Sequence, residues 1–296
     1  MQHNKFVSAV LIPIFSFIAL FSVFPLLLGL GITMFDYNPL EAHHPFLGLD
    51  NIKRLFTDPV FQTGFKNTLF FVVVTVGLNI TITLILAQII SSMKRNWMRG
   101  FFRVLFFMPC VAPLVASSVV WGGLYATQYG LINNILFKLF QIPHHNWLGT
   151  PATIMPAVII FTIWADIGYN IIIFCAGIDG IPDEFLEAAA IDGAGPVKRF
   201  FSVTLPLLGR TFSFVVAMTL ISHFQMFAQF QVLTRSSGKS VGGPNNAGLV
   251  MTLHIYKMAF EFRNMGYASA IALSLFLIIM IFTAVSQWLN RVDWGY

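Results

Sequence analysis

Long stretches without a charged side chain dominate this sequence. Five of them lie at residues 6–35, 67–93, 104–137, 211–234 and 264–290, and a sixth, at 152–178, is interrupted only by Asp166. A helix needs about 20 mostly apolar residues to cross the hydrocarbon core of a membrane. In lipid, backbone polar groups must be paired within the segment, and no ten-residue alternation typical of barrel strands is visible. We therefore expect an all-α membrane protein with six transmembrane helices.

The expected transmembrane helices cover about residues 9–33, 67–92, 104–126, 152–176, 209–233 and 266–289. The first stretch is longer than the apolar region of a signal peptide, and no clear cleavage site follows it, so we expect it to be retained. No linker is long enough to join a second domain, so residues 1–296 are expected to form a single transmembrane domain. Only 10% of the residues are charged, against about 25% in soluble domains, which excludes an ordinary water-soluble fold.

Charge, cysteines and motifs argue against several other classes of protein. The net charge is +5, but the basic residues are scattered between apolar stretches and form no stripe for nucleic acid. Cys110 and Cys175 lie inside apolar stretches, so we expect buried thiols and no disulfide. Gly238-Lys239-Ser240 ends like a phosphate-binding loop, but the opening glycine would fall at Leu233 and no strand precedes it. No motif of a membrane-embedded enzyme is present, and we expect no catalytic activity, metal or cofactor.

The distribution of basic residues predicts the orientation in the membrane. Six spans place both termini on one side, and with the termini inside, nine basic residues lie inside against eight outside. The density of basic residues discriminates better than these totals, because the excess of Lys and Arg on the cytoplasmic side is found in short loops close to the ends of spans. The short loop at 93–103 alone carries four basic residues: Lys94, Arg95, Arg99 and Arg103. Cytoplasmic N- and C-termini are therefore expected.

The segment 177–208, between the fourth and fifth spans, has the most informative local pattern. Pro182 suits the first turn of a helix, and Asp183 lies close to the positive end of that helix dipole. Gly193 and Pro196 then end the helix and turn the chain. A compact helix with an acidic tip fits a cleft on a soluble partner, or it merely connects two spans. The physical pattern alone leaves both interpretations open.

The same segment resembles the EAA loop of the permease subunits of ABC importers. The family pattern is Glu-Ala-Ala, three residues, Gly, nine residues, Ile or Val, one residue, and Leu-Pro. This chain matches it at every spacing with Glu187-Ala188-Ala189, Gly193, Val203 and Leu205-Pro206. A Glu-Ala-Ala triplet alone is weak, whereas the full pattern between two spans is specific.

The resemblance covers most of the chain, from about residue 10 to 290, and narrows to the sugar and glycerol-phosphate permeases. The matching segments are 35–39, 48–51, 103–109, 129–133, 242–244 and 266–270. One departure is a Ser-rich insert at 235–240, where the family usually runs more directly into Gly-Gly-Pro. The departure leaves the shape of the last outer loop open but does not affect the family.

The resemblance implies the architecture of a type I ABC importer, with a cytoplasmic coupling helix in the segment 177–208 and a location in the inner or plasma membrane of a prokaryote. The implied partners are a second homologous permease, two ATP-binding-cassette ATPase subunits, an extracytoplasmic solute-binding protein, a sugar-like solute and membrane lipid. ATP hydrolysis in the partner subunits would drive alternating access. The residues implied to contact an ATPase are Glu187, Ala188, Ala189, Asp192 and Gly193.

A second set of residues is a candidate for binding the solute. Asp166 is the one acid well inside a span, where a charge costs about 2.5–3.5 kcal/mol and normally faces a cavity or a partner. Polar residues also share one face of the fourth span and one face of the fifth. In maltose-type permeases the helices flanking the EAA loop hold the sugar, and this resemblance implies the set Thr162, Asp166, Tyr169, Thr219, Ser222, His223 and Met226.

Two alternatives to this assignment stay open. The same polar groups can instead hydrogen-bond between helices and hold the bundle together. Within an importer, the partner permease can also do most of the holding. Since a carboxylate at Asp166 disfavours an anion, an uncharged sugar is preferred over a phosphodiester.

One rival function also remains. Asp166 and His223 would form the proton-coupling pair of a secondary transporter. Against it, the sequence has no evident internal repeats and no Gly/Pro-broken spans in matched halves. We therefore expect the permease of an ATP-driven importer of a sugar-like solute.

Overall fold

The computed structural model describes residues 11–235 and 241–289, and among these residues all regular structure is helical apart from one isolated bridge between Phe35 and Phe46. The first seven helices are α1 (Leu11–Ile32), α2 (Asp50–Thr57), α3 (Pro59–Ser91), α4 (Asn96–Val111), α5 (Leu114–Leu124), α6 (Leu131–Phe140) and α7 (Pro151–Asp179). The later ones are α8 (Asp183–Ile191), α9 (Pro196–Leu207), α10 (Gly209–Phe224), α11 (Ala228–Arg235), α12 (Met251–Tyr256) and α13 (Met265–Leu289). A 3-10 turn at Pro244–Asn246 precedes α12, and a π-helical turn at Lys257–Glu261 follows it. The Ser-rich insert and its Gly-Lys-Ser triplet lie outside the described residues, except for Arg235.

Four of these helices, α1, α3, α7 and α13, are long and apolar enough to cross a membrane without interruption. The number of candidate spans in the described residues rises to six if each of two bent pairs, α4 with α5 and α9 with α10, counts as one span. The helix that contains the second expected span begins at Pro59, eight residues before the expected start, and includes Lys66. Arg99 and Arg103, expected in a loop, belong to α4.

The third span is sharply bent, which the charge-free run did not predict. The axes of α4 and α5 differ by 94°. Pro113 supplies no backbone N–H and forces the preceding residue toward extended backbone, and Ala112 has ψ of 138° accordingly. Pro109, inside the last turn of α4, removes another helical hydrogen bond. The bend therefore has a local cause in the sequence.

The fifth span also differs from the expectation of one helix over 209–233. A bend of 73° separates α9 from α10 at Leu208, two residues after Pro206. The α10 helix ends at Phe224, where Gln225 N–H donates to the carbonyl of Ser222 at 3.1 Å and tightens the last turn. The chain resumes helical structure only at Ala228. The continuous helix therefore ends nine residues before the expected end of the span at 233, because apolar composition alone does not reveal where a helix stops.

The chain divides into two compact units, residues 1–62 with 251–276 and residues 63–250 with 277–296, and each is described by itself. In the first unit Asn51 Nδ2 donates to the carbonyls of Thr33 and Phe35 at 2.9 and 3.0 Å. Gly266 lies against the carbonyl of Phe35, and a side chain there would collide with backbone. These contacts fix the loop after α1 to the start of α13.

A polar cluster lies in the same unit. Tyr267 is buried, its hydroxyl donates to Asp58 Oδ2 at 2.6 Å, and the guanidinium of Arg54 lies 4.1 Å from the centre of its ring. The His254 ring meets the Tyr267 ring edge to face, with 6.3 Å between centroids. A histidine, a carboxylate and a guanidinium thus surround one buried phenol.

In the second unit α4 crosses α7 at Gly168. A Cβ on Gly168 would lie 2.6 Å from the Cα of Phe107 and closer still to the carbonyl oxygen of Phe106. Only glycine permits this backbone contact, since any other residue needs about an ångström more room. The crossing sets the separation of the third and fourth spans beside the site described next.

Candidate functional site

A cavity of about 560 Å³ lies where the two interrupted spans face α7. We call it the main cavity. The bend between α4 and α5 contributes Pro109, Cys110 and Ala112 to its wall, the middle of α7 contributes Thr162, Ala165 and Asp166, and the end of α10 contributes Ser222, Gln225 and Met226. The bend between α4 and α5 and the break between α10 and α11 thus both open onto the same space. Backbone freed from helical pairing is tolerated in a membrane where it lines such a cavity.

A second cavity of about 250 Å³ adjoins the main one, because Asp166 and Ser222 line both. Its other lining residues are Tyr169, Asn170, Met218 and Thr219. Tyr169 is 48% exposed, and its side chain offers an apolar ring with a hydroxyl at its end. Together the two cavities present a carboxylate, hydroxyls, amides and the aromatic rings of Tyr169 and Phe227, a lining suited to a small molecule rich in hydroxyl groups.

The structure brings six of the seven expected solute-binding residues to these cavities. Thr162, Asp166, Ser222 and Met226 line the main cavity, and Tyr169 and Thr219 line the smaller one. Their role in binding stays a prediction. The hydroxyl of Thr162 is buried without a hydrogen-bond partner among the described residues, so it retains an unused donor at the cavity wall.

His223 lies behind the cavities and lines neither of them. Its side chain is fully buried, and Nδ1 is 2.8 Å from the carbonyl of Thr219, four residues earlier on α10. Nε2 is 3.8 Å from Oδ2 of Asp166, too far for a hydrogen bond. The imidazole stacks on Phe71 of α3 with 6.1 Å between ring centres. His223 therefore supports the wall that carries Asp166 and does not face the solute space.

A buried amide pair that the sequence analysis missed connects three helices behind the smaller cavity. Asn170 Nδ2 donates to Asn79 Oδ1 at 2.7 Å and to the hydroxyl of Thr219 at 3.0 Å. These bonds join α7 to α3 and to α10. The signal was an asparagine inside each of two apolar runs, since an amide in lipid needs a partner on another helix. Thr219 thus serves both the cavity and the packing of the bundle.

The expected set of solute-binding residues leaves out several of those supplied by the helix interruptions. Gln229, at the start of α11, lines the main cavity and is 1% exposed, and neither end of its amide has a partner among the described residues. Pro109 and Cys110 line it from the opposite side. Pro109 and Pro113 within one apolar run were the available signal, because proline inside a span marks a break. One argument against a secondary transporter was the absence of broken spans, and the interruptions at these prolines weaken that argument.

The motif Glu187-Ala188-Ala189 lies on α8, a nine-residue helix between α7 and α9. Gly193 has φ of +76° and ends the helix, with the N–H of Ala194 donating to the carbonyl of Ala189 at 2.9 Å. Glu187 is exposed and, within the described part of the chain, makes no ion pair. Ile191 is 87% exposed at the end of the helix. The exposed side chain of Ile191, one helical turn after the exposed carboxylate of Glu187, is an arrangement suited to contact with another protein.

Among the described residues, helices long enough to cross a membrane enclose cavities and are accompanied by a short exposed helix, an arrangement typical of membrane-embedded transport subunits. The chain is a member of the family of binding-protein-dependent transport system inner membrane components, whose model matches residues 79–292. The resemblance read from the EAA-type segment is thereby confirmed.

Named relatives agree with this family. The chain is 33% identical to the probable ABC transporter permease protein YurN of Bacillus subtilis over 290 residues, covering 97% of this chain and 96% of the relative. It is 31% identical to the lactose transport system permease protein LacF of Rhizobium radiobacter over 94% and 92% of the two chains. The identity to the sn-glycerol-3-phosphate transport system permease protein UgpA of Yersinia pseudotuberculosis is 30%, over 93% and 90%.

A solved structure shares the fold. A chain of a bacterial ABC transporter involved in the import of the acidic polysaccharide alginate superposes with a TM-score of 0.83, covering 98% of this chain and 96% of the other. The two sequences are 19% identical, so the likeness concerns the fold alone. It supports the helical architecture with a loop helix that the sequence predicted.

Proposed function

We propose that this chain is one of two permease subunits in an ATP-driven importer, and that it moves a sugar-like solute across the cell membrane by alternating access. ATP is hydrolysed in two partner ATPase subunits, and an extracytoplasmic binding protein delivers the solute. The chain itself performs no catalysis. We place both termini and α8 on the cytoplasmic side of a prokaryotic membrane, because the short segment 93–103 carries four basic residues.

The observation that carries the proposal is the position of the Glu187 motif. It occupies an exposed helix, and the two membrane helices that flank this helix both line the cavities. A soluble subunit that bound α8 would therefore act on α7 through residues 180–182 and on α10 through α9. Glu187 would supply the charged contact, and Ala188, Ala189, Asp192 and Gly193 would let the partner approach the backbone closely.

The substrate class follows from the cavity lining and from the relatives. Lactose, diacetylchitobiose, arabinooligosaccharides and sn-glycerol-3-phosphate appear in the names of related permeases. Asp166 accepts hydrogen bonds from hydroxyl groups and repels an anion, so an uncharged sugar fits this chain better than glycerol phosphate. Thr162, Tyr169, Thr219, Ser222 and Met226 would complete the contacts, with His223 behind them.

The rival proposal, a proton-coupled carrier using Asp166 and His223, is less well supported. The two side chains are close, and two spans are interrupted. However, the family is defined by dependence on a binding protein, which a secondary carrier of this kind does not need.

The test is purification of the tagged chain from its native membrane with its bound subunits, followed by ATP-dependent uptake of labelled sugars into proteoliposomes. Glu187→Lys should abolish stimulation of ATP hydrolysis by the loaded binding protein and reduce uptake at least about tenfold. The matched control is Glu261→Lys, which reverses an exposed charge on a different segment and should behave as wild type. Uptake by the chain alone that needs a proton gradient and no ATP would reject the proposal.

A further inference from the structure

The last residue of α7, Asp179, holds two arginines of α4. Nη2 of Arg103 donates to Oδ2 at 2.6 Å, and Nη2 of Arg99 donates to Oδ1. The arginines are four residues apart, so they project from one face of α4. All three side chains are between 25% and 32% exposed. Each arginine also has a buried Nε, so the guanidinium groups pack against protein rather than extending into water.

Asp179 is tied to α8 by a very short connection. Only Gly180, Ile181 and Pro182 separate it from Asp183, the first residue of α8. Gly180 N–H donates to the carbonyl of Ala176 at 3.1 Å, and Ile181, which is 9% exposed, donates to the carbonyl of Ile178 at 3.1 Å. Pro182 has a fixed φ and no N–H. A displacement of α8 therefore moves Asp179 with it.

The other end of α4 reaches the main cavity. Pro109 and Cys110, in its last turn, line that cavity, and the bend to α5 follows directly. The backbone contact of Gly168 with Phe106 pins α4 to α7 close to the same level. A movement of the Asp179 end of α7 can thus reach the cavity along α4. The ion pairs with Asp179 attach the first half of α4 to α7, and the backbone contact between Gly168 and Phe106 attaches its second half.

We propose that Asp179 is a positioning residue that transmits movement of α8 to α4 through Arg99 and Arg103, so that the wall of the main cavity moves with the coupling helix. The inference rests on the proposed function. A partly exposed ion pair contributes only about 0–1 kcal/mol to stability, so this cluster is a weak device for holding the fold together. It is an effective one for fixing direction, because two guanidinium groups from one helix face hold both oxygens of one carboxylate.

The experiment uses the assembled complex in proteoliposomes and measures the amount of sugar imported per ATP hydrolysed. Asp179→Asn, which keeps the shape and removes the charge, should retain most of the ATPase rate while the ratio falls at least about fivefold. Combining Asp179→Arg with Arg103→Asp restores an opposite-charge pair and should recover part of the ratio. The matched control is Asp50→Asn, which removes the acid of an exposed pair with Lys53 on α2 and should leave the ratio unchanged.

Two results would overturn the inference. One is a wild-type ratio in Asp179→Asn, and the other is a parallel loss of ATPase and uptake that the charge reversal does not repair. If Asp179→Asn does not fold, Arg103→Gln leaves the Arg99 contact in place and is measured in the same way, with the same expected fall in the ratio. Absence of ATP-dependent uptake by the wild-type complex would instead reject the proposed function, so the two failures are distinguishable.

Discussion

Oδ2 of Asp166 lies 3.8 Å from Nε2 of His223, yet the two side chains face different surroundings. The Asp166 side chain is 33% exposed and lines both cavities, whereas His223 is completely buried against Phe71 and the carbonyl of Thr219. The carboxylate can therefore meet a solute while the imidazole cannot. This asymmetry separates a binding role from a supporting one.

Replacing Asp166 with asparagine tests the binding role. The substitution keeps the size of the side chain but removes a charged acceptor, and a hydrogen bond to a charged group contributes about 1.5–3 kcal/mol. We expect the KM for sugar uptake to rise about tenfold or more, with ATP hydrolysis retained. Uptake kinetics in proteoliposomes measure this effect. Asp36→Asn, at an exposed position in the loop after α1, is the matched control, and an unchanged KM in Asp166→Asn would exclude contact with the solute.

Replacing Gly168 with alanine tests the crossing of α4 and α7. The new Cβ would collide with the backbone of Phe106 and Phe107, which cannot give way without moving a helix. We expect a loss of about 1–3 kcal/mol in the free energy of unfolding, as for other overpacked sites. Thermal unfolding in detergent measures it. Gly77→Ala in α3, where nothing lies within 4 Å of the new Cβ, should be neutral or stabilising by up to about 1 kcal/mol.

The buried amide of Asn133 organises the loop between α6 and α7. Its Oδ1 accepts from the N–H of His145 at 3.1 Å and from Nε1 of Trp147 at 2.9 Å. Its Nδ2 donates to the carbonyls of Ala126 and His145 at 3.1 and 3.0 Å. Asn133→Ala leaves these groups unpaired, and we expect a cost of about 3 kcal/mol or more.

Proteolysis of the loop 141–150 and thermal unfolding measure this change. Asn134→Ala is the matched control, because the neighbouring amide is exposed and makes only a 3.5 Å contact with the carbonyl of Tyr129. Equal stability of the two variants would show that the Asn133 bonds contribute little.

Stability should depend on pH through His254. Burial lowers the pKa of this imidazole, Asp58 opposes the shift, and Lys257 and Arg54 reinforce it. The folded protein therefore binds fewer protons than the unfolded chain, so stability falls as the pH drops below the ordinary histidine value of about 6.5 toward the lower folded pKa. The Tm should decrease between about pH 7.5 and about pH 5.5.

A variant pair isolates this contribution. His254→Gln should flatten the dependence of Tm on pH over that interval, because the group that gains a proton on unfolding is gone. His43→Gln removes an exposed histidine and should leave the slope as in wild type. A slope unaffected by His254→Gln would assign the pH effect to other groups.

The approximate positions of the membrane helices could be predicted from composition, whereas the bends and ends of the helices could not. Run length located the helices because any long charge-free stretch must be paired internally in lipid. Run length could not show that α10 ends at Phe224 or that the axes of α4 and α5 differ by 94°. The charge-free run continues on both sides of each interruption, so run length alone does not mark it.

The candidate residues show the same division. Helical spacing and family resemblance placed Asp166 and Ser222 on a common cavity, because residues three or four apart share a face wherever the helix goes. His223 satisfied the same spacing but lies one layer deeper. The partners of Asn170 could not be predicted, because Asn79 and Thr219 are distant in sequence and meet only through tertiary packing.

The volume of the main cavity bears on how a polar molecule experiences the membrane. A space of about 560 Å³ is far larger than the minimum needed to hold one ordered water, so it has room for many water molecules. Under the proposed function, a hydroxylated solute in this cavity would exchange bulk hydration for contacts with carboxylate, amide and hydroxyl groups of its wall. On the same proposal, this cavity would lower the cost of placing a polar solute between the helices, and alternating access would then consist of opening one end of it while the other is shut.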